Sequence, residues 1–382
     1  MSHVAMVIPG LDGIAGAERQ VMLLAKGFRA RGWRVTVVAL SGTGGQAATE
    51  LTASGVKFLT LEMRKGLADP RGWIRFNRWL RRERPQVVHA HLPHAAWIAR
   101  WSRLAAPVPV LIDTLHTSST RKLGRRFGYR ASFWLPDQVT AVSESVADAH
   151  LRARMVDRDS LTVVPNGVDV EDFRPNPQTR SVTRQKVGIG HEFLWLAAGR
   201  LEPVKDYPTL LRAFALVPVP ARLLIVGGGS LHSELSQLSA SLGLEHRVQF
   251  LGFQSDVKPW MQAADGFVLS SRWEGFPLGL LEAAACALPA IATDVPGSRE
   301  AIVKGRTGQL VPSGAPAALA EAMTAMMQAS PWDRRAMGNL ARLHIGEQFG
   351  IEATLDRWEE LYEALLGRSY QPNRKIHDPV TA

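Results

Sequence analysis

A chain of 382 residues with 46% hydrophobic and 21% charged side chains is ordinary globular material, long enough for two domains and unlike a disordered or collagenous polymer. Its single cysteine, Cys286, excludes an internal disulfide framework and a cysteine metal cluster. The net charge of +10 is lopsided: 26 Lys+Arg stand against 15 Asp+Glu up to Arg180, and 19 against 20 from Ser181 onward.

The opening Met-Ser-His-Val-Ala-Met-Val-Ile-Pro-Gly is too short an apolar run, cut by Pro9, for a signal peptide. No segment has the length of a membrane span, so a cytoplasmic location is expected. Val4–Ile8, Arg34–Leu40, Lys57–Leu61, Gln86–Ala90, Val110–Asp113, Gln138–Val142 and Leu161–Pro165 read as short apolar strands separated by helical stretches such as Ala17–Arg31. Gly10, Gly13 and Gly16 follow the first strand, where backbone amides can approach a diphosphate.

Basicity concentrates in residues 61–130, with 15 basic and 4 acidic side chains. Residues 71–82 interleave Trp73, Phe76, Trp79 and Leu80 with arginines at helical spacing. That pattern fits a surface-seeking helix or a core-packed helix with a solvated basic face. A second cluster, Arg121, Lys122, Arg125, Arg126 and Arg130 with Phe127 and Tyr129, has no clean period. It reads as a contact for anionic lipid headgroups or a lipid-linked acceptor; no nucleic-acid motif accompanies it. Asp157-Arg-Asp159 follows no apolar strand and reads as a surface loop, so no metal is expected.

Residues 166–178, rich in proline, read as the hinge between residues 1–172 and residues 178–348. The second half repeats the strand scheme at Phe193–Ala198, Arg222–Val226, Val248–Leu251, Gly266–Leu269, Ala290–Thr293 and Gln309–Val311. Short apolar strands alternating with helices imply parallel sheets covered on both faces, hence an α/β chain of two doubly wound domains. Ligands gather at the carboxyl ends of such strands. Arg200 and Lys205, after Phe193–Ala198, are candidates to neutralise a diphosphate, the alternative being ion pairs with Glu202 and Asp206. Gly227-Gly-Gly-Ser230 after the next strand resembles a nucleotide-side loop.

Ser270 to Glu282 carries the most chemistry. It reads Ser-Ser-Arg-Trp-Glu-Gly-Phe-Pro-Leu-Gly-Leu-Leu-Glu and crosses from a strand into a helix. Gly275, Phe276, Pro277 and Leu278 stand at the helix entrance, where unpaired N–H groups and the macrodipole favour an anion. Glu274 and Glu282 need a partner rich in hydroxyls. A sugar nucleotide satisfies both demands. Cys286, in Ala-Ala-Ala-Cys-Ala-Leu, reads as a small buried residue. An amphipathic helix from Ile351 to Leu366, with Trp358, Leu361, Tyr362 and Leu365, closes the chain before a polar tail.

Glu-x7-Glu with Gly-Phe-Pro-Leu after the first Glu resembles the signature of the family-4 retaining glycosyltransferases. Gly199-Arg-Leu-Glu202 with Lys205-Asp206, Val164-Pro-Asn-Gly-Val-Asp169, Thr114-Leu-His116, Gly16-Ala-Glu-Arg19 and Gly305-Arg-Thr-Gly308 are similar to family segments in the same order. Where the family commonly has Gly-Gly, this chain has Ala15-Gly16. The resemblance implies the GT-B fold, two facing Rossmann-like domains, with a helix near 349–367 crossing back to the first and a loose tail at 368–382. It implies an acceptor-binding first domain and a donor-binding second one. His116 would contact the transferred sugar and the attacking hydroxyl, and Glu274 would position the sugar. Gly16, Arg200, Lys205 and residues 275–278 would bind the rest of the donor, and Glu282 the ribose. The donor expected is a nucleoside-diphosphate sugar, uridine taken over guanosine, with a lipid-linked or glycan acceptor at the inner membrane surface and no cofactor. The rival readings are a sugar-nucleotide epimerase, a dinucleotide-dependent oxidoreductase and a non-catalytic basic adaptor. No G-x-G-x-x-G follows the first strand to support the oxidoreductase.

Overall fold

The computed structural model describes residues 2–13, 15–64, 69–117 and 128–369. Among them the chain forms two parallel sheets. The first takes β1 (His3–Ile8), β2 (Arg34–Ala39), β3 (Lys57–Thr60), β4 (Val87–His91), β5 (Val110–Leu115), β6 (Gln138–Ala141) and β7 (Leu161–Val163). The second takes β8 (Phe193–Ala198), β9 (Ala221–Val226), β10 (Val248–Gly252), β11 (Gly266–Leu269), β12 (Ala290–Thr293) and β13 (Gly308–Val311). Every strand anticipated from the apolar runs is present, within two residues at either end. All six residues of β1 and of β5 are buried, as strands covered on both faces require.

Strand orders β3-β2-β1-β4-β5-β6-β7 and β10-β9-β8-β11-β12-β13 are doubly wound. Each sheet grows outward from its first strand in one direction and then reverses. The reversal leaves a crevice at the carboxyl ends of β1 and β4 in one sheet and of β8 and β11 in the other, where ligands of such sheets bind.

By backbone proximity the chain divides into two compact units. One holds Met1–Ala141, Ala147–Val164 and Thr354–Ala382, the other Val142–Val146 and Pro165–Ala353. The last helix, Ile351–Ser369, therefore belongs to the first unit from Thr354 on. Leu355, Trp358, Tyr362 and Leu365 lie one or two turns apart and are all buried. Glu359 accepts from Trp33 Nε1 at 2.8 Å and from Arg31 at 2.9 Å, and the Tyr362 ring stacks on Phe28 at 5.2 Å. A Cβ at Gly27 would stand 2.4 Å from Leu355 Cδ1, so a bare backbone is what lets the helix Gly16–Ala30 approach this closely. The segment read as a hinge is tied to the second unit: Val168 N donates to Phe349 O and Ile351 N to Val168 O, both at 2.9 Å.

The basic helix runs Pro70–Glu83, with Asp69 as N-cap accepting from Arg71 N at 3.0 Å. Phe76, Trp79 and Leu80 are buried while Arg71, Arg75, Arg78, Arg81 and Arg82 are exposed. Of the two readings of this pattern the core-packed one describes it. Phe76 and Trp79 are occupied inside the first unit, while Trp73 is half-buried and Ile74 is exposed beside the arginines.

Replacing Leu355 by Ala deletes buried methyl groups at the most closely packed point of the last helix. Urea denaturation is expected to show a loss of about 2–5 kcal/mol. A change below about 0.5 kcal/mol would mean that the helix is not anchored there.

Candidate functional site

Two groups of side chains stand at the strand ends that the topology marks. In the second unit, β8 ends at Ala198 and the chain continues through Gly199 and Arg200 into a 3-10 turn, Pro203–Lys205. Gly227, at the end of β9, lies against this turn. A Cβ there would sit 1.9 Å from Gly199 O, and its φ of +143° suits glycine alone. The buried Tyr207 hydroxyl donates to Gly199 O at 3.0 Å. Burial, with the nearby Glu274 charge, pushes its phenol pKa up, so it stays a donor.

Lys205 Nζ reaches Glu274 Oε1 at 2.6 Å, and Ser271 Oγ donates to the same oxygen at 2.5 Å. Both members of the ion pair are largely shielded, their side chains 19% and 10% exposed. Glu274 Oε2 has no partner among the described residues and remains able to accept from a ligand hydroxyl. The strand end is itself held from below. Thr293 Oγ1 donates to Ser271 O at 2.6 Å, Ser270 Oγ to Lys205 O at 2.8 Å, and Arg272 N to Val204 O at 2.8 Å. Gly297 lies under the loop, where a Cβ would come within 2.6 Å of Gly275 O and 2.9 Å of Glu274 O.

The helix after the loop runs Leu278–Ala285, with Pro277 as N-cap and not within the first turn, and Gly275 and Phe276 just before it. Glu282 is buried on this helix. Its charge, added to burial, pushes the Cys286 thiol up to about 12, so that sulfur is protonated and inert at neutral pH. Arg200 is exposed and has no ion pair among the described residues. The pairs considered for the two cations, Arg200 with Glu202 and Lys205 with Asp206, do not form. Asp206 instead accepts from Arg272 at 3.1 Å and Thr209 at 2.9 Å. Lys205 is thus paired with Glu274, and Arg200 is the uncommitted cation of the two among the described residues.

In the first unit His116 follows the last residue of β5. Its Nε2 lies 3.1 Å from Nδ1 of His91, the last residue of β4. The His89 ring lies over His91 at 4.0 Å between centroids. Desolvation lowers the pKa of His116 to about 4 and those of His89 and His91 well below the usual value, so all three are neutral near pH 7. Asp113 is fully buried and paired with Arg100, unable to serve as a second carboxylate beside His116. Gly16 is exposed as the first residue of its helix, and Ala15 N donates to Glu18 at 3.2 Å. A recess of about 260 Å³ opens where β1 and β2 end, lined by Gly10, Gly13, Ser41, Arg64 and His94 among others.

Arg130 is exposed, while Arg121, Lys122, Arg125 and Arg126 lie outside the described residues. Asp157 and Asp159 are both exposed around a 3-10 turn. Ser271, Gly297, Tyr207, His89 and His91 are site residues that no motif in the sequence marks. The H-x-H spacing at the end of an apolar strand was the available signal, since residues two apart on a strand share a face.

Residues 14–172 match the family described as Glycosyltransferase Family 4, and residues 179–344 match Glycosyl transferases group 1. The N-acetyl-alpha-D-glucosaminyl L-malate synthase of Bacillus anthracis is 31% identical over 298 residues, covering 75% of this chain and 76% of that protein. The chain belongs to glycosyltransferase family 4. It is a retaining, nucleotide-sugar-dependent glycosyltransferase of GT-B fold. The phosphatidyl-myo-inositol mannosyltransferase of Mycobacterium leprae is 29% identical over 339 residues, covering 85% of this chain and 87% of that one. The crystal structure of Anabaena HepE in complex with UDP and glucose superposes with a TM-score of 0.84 at 22% identity, covering 95% of this chain and all of that one.

The histidine pKa values set a pH dependence with a definite sign. A folded-state value near 4 against about 6.5 unfolded means that the unfolded chain binds protons first, so stability is intact above about pH 6.5 and falls as pH drops toward 4. His116→Asn is expected to flatten the pH dependence of the urea midpoint between pH 4.5 and 6, by up to about 1.4 kcal/mol per pH unit. Identical slopes in the two proteins would place His116 in ordinary solvent.

Proposed function

We propose that this glycosyltransferase moves a sugar from a UDP-sugar to a hydroxyl of a lipid-linked or glycan acceptor, with retention and without a metal. The observation that carries the reading is the carboxylate of Glu274, held through one oxygen by Lys205 and Ser271 with the other open, at the end of β11 and before a helix start. A sugar hydroxyl donates to that open oxygen. The amides of Gly275 and Phe276, the Leu278–Ala285 helix start at Pro277 and Leu278, Arg200 and Lys205 bind the diphosphate, and Glu282 holds the ribose.

In this reading residues 178–348 bind donor and residues 1–172 bind acceptor, with Gly16 at the diphosphate and His116 beside the sugar and the attacking hydroxyl. Support for uridine comes from the UDP held by the Anabaena structure, and for a lipid acceptor from the name of the mycobacterial relative. Negative charge builds on the departing diphosphate, where fixed cations and helix-end amides stabilise it. The C1–O bond to phosphate breaks as the C1–O bond to the acceptor forms on the same face, and the acceptor proton passes to the leaving phosphate oxygen. Arg71, Arg78, Arg81, Arg82 and Arg130, each exposed, and the basic sequence at 121–126, which lies outside the described residues, hold the enzyme at anionic lipid headgroups, inside the cell. No helix among the described residues is long and apolar enough to cross a membrane.

Nucleotide release from a panel of UDP- and GDP-sugars tests the donor site. Glu274→Ala is expected to lower kcat/KM by about 10²–10³-fold, and Lys205→Ala by at least about 10-fold. Undiminished release by Glu274→Ala would end the assignment, and inverted product by NMR would end the same-face reaction. Isomerised donor without any acceptor would support the epimerase.

Membrane contact is tested separately. Replacing Arg121, Lys122, Arg125, Arg126 and Arg130 by Gln is expected to weaken cosedimentation with anionic vesicles by about tenfold or more, since each cation adds about 1 kcal/mol. UDP should still raise Tm by the same amount. Unchanged sedimentation would remove the membrane from the proposal.

A further inference from the structure

The histidines of the first unit are joined by hydrogen bonds whose directions can be worked out. His89 Nδ1 lies 2.6 Å from the Tyr362 hydroxyl and its Nε2 lies 2.6 Å from Thr114 Oγ1. Thr114 Oγ1 meets Thr140 Oγ1 at 2.7 Å, and Thr140 Oγ1 donates to Asp113 O at 3.3 Å. A hydroxyl has one proton to donate. Thr140 gives its proton to the carbonyl, so Thr114 donates to Thr140 and must accept from His89 Nε2–H. His89 Nδ1 then carries a lone pair and accepts from Tyr362 O–H. The Thr114–Thr140 chain thereby sets one tautomer of His89, and Tyr362 on the last helix donates to it.

His91 is completely buried beside this ring, and its Nε2 has no partner among the described residues. With Nε2 protonated, His91 would bury an N–H that nothing accepts; with Nδ1 protonated, Nε2 keeps only an unused lone pair. Orphan buried N–H groups are the rarer and costlier case. Nδ1–H then points at His116 Nε2, 3.1 Å away. His116 must receive that proton on a lone pair, and its own hydrogen is left on Nδ1. Since His116 is only partly shielded, Nδ1–H can be satisfied by solvent or ligand.

We propose that His91 is a positioning residue: it donates to His116 Nε2 and fixes His116 in the tautomer that offers Nδ1–H to an oxygen of the substrate. Nothing in this requires His91 to touch substrate. The role rests on the proposed contact of His116 with the transferred sugar and the attacking hydroxyl. In it His116 acts as a neutral hydrogen-bond donor, held in one orientation by a fully buried neighbour. Fixing an imidazole tautomer through a second group has large kinetic leverage in other enzymes.

The test uses full-length protein labelled with 15N-histidine. A long-range 1H–15N correlation at neutral pH separates Nδ1–H from Nε2–H tautomers, and His116→Ala assigns the signal. The wild-type spectrum should show His116 and His91 as Nδ1–H and His89 as Nε2–H. His91→Leu should abolish the His116 preference and lower kcat about 10–100-fold while donor KM stays within about twofold. His91→Asn, whose amide can donate from nearly the same position, should restore most of both. A wild-type His116 in the Nε2–H form overturns the proposal without any variant. So does His91→Leu with an unchanged tautomer and unchanged kcat. Full kcat in His116→Ala would instead defeat the substrate contact on which the role rests, whatever the tautomer.

Discussion

Parallel strands buried on both faces leave no solvent for a polar side chain, so polar groups belong at the strand ends or must find partners within. The second sheet obeys the first option at its centre: β8 and β11 are apolar along their length, and Arg200, Lys205, Ser271 and Glu274 all come after a last strand residue. The first sheet uses the second option. His89, Asp113, Thr114 and Thr140 lie inside strands, and Arg100 and a hydroxyl chain answer them. That chain ends on Tyr362, which is why the last helix, distant in sequence, is part of the environment of the histidines.

In the second unit the limiting quantity is charge. Lys205 would repel its desolvated surroundings without a counter-ion, and Glu274 supplies one at 2.6 Å. The pairing divides labour between the two carboxylate oxygens: one neutralises the lysine, the other is held at a fixed place to accept. Glycines let these loops lie against one another, since Gly227 and Gly297 touch neighbouring carbonyls where any side chain would force the loops apart.

Apolar runs bounded by turn residues disclosed the strands because burial on both faces writes itself into composition. The Ser270–Glu282 segment was legible because strand, loop and helix start are contiguous there. What could not be read is proximity created by register. His91 pairs with Thr114 across β4 and β5, and this alone brings its ring to His116, 25 residues on. Likewise Lys205 and Glu274 were both noticed, but as separate donor contacts, because their ion pair depends on β8 and β11 being neighbours although β9 and β10 intervene in sequence. The helix Pro70–Glu83 misleads in the other direction: arginines and aromatics at helical spacing suit a surface or a core, and only the packing of Phe76 and Trp79 decides.

The desolvation of His116 constrains the proposed reaction. A group whose conjugate acid has a pKa of about 4 is neutral at physiological pH and also a poor proton acceptor. A phosphate oxygen, with a second pKa of about 6, is the stronger base. In the proposed reaction the departing diphosphate is therefore the better receiver of the acceptor hydroxyl's proton than the imidazole. With its pKa lowered below the neutral range, His116 keeps its N–H from competition with protonation there, which suits the donor role proposed for it.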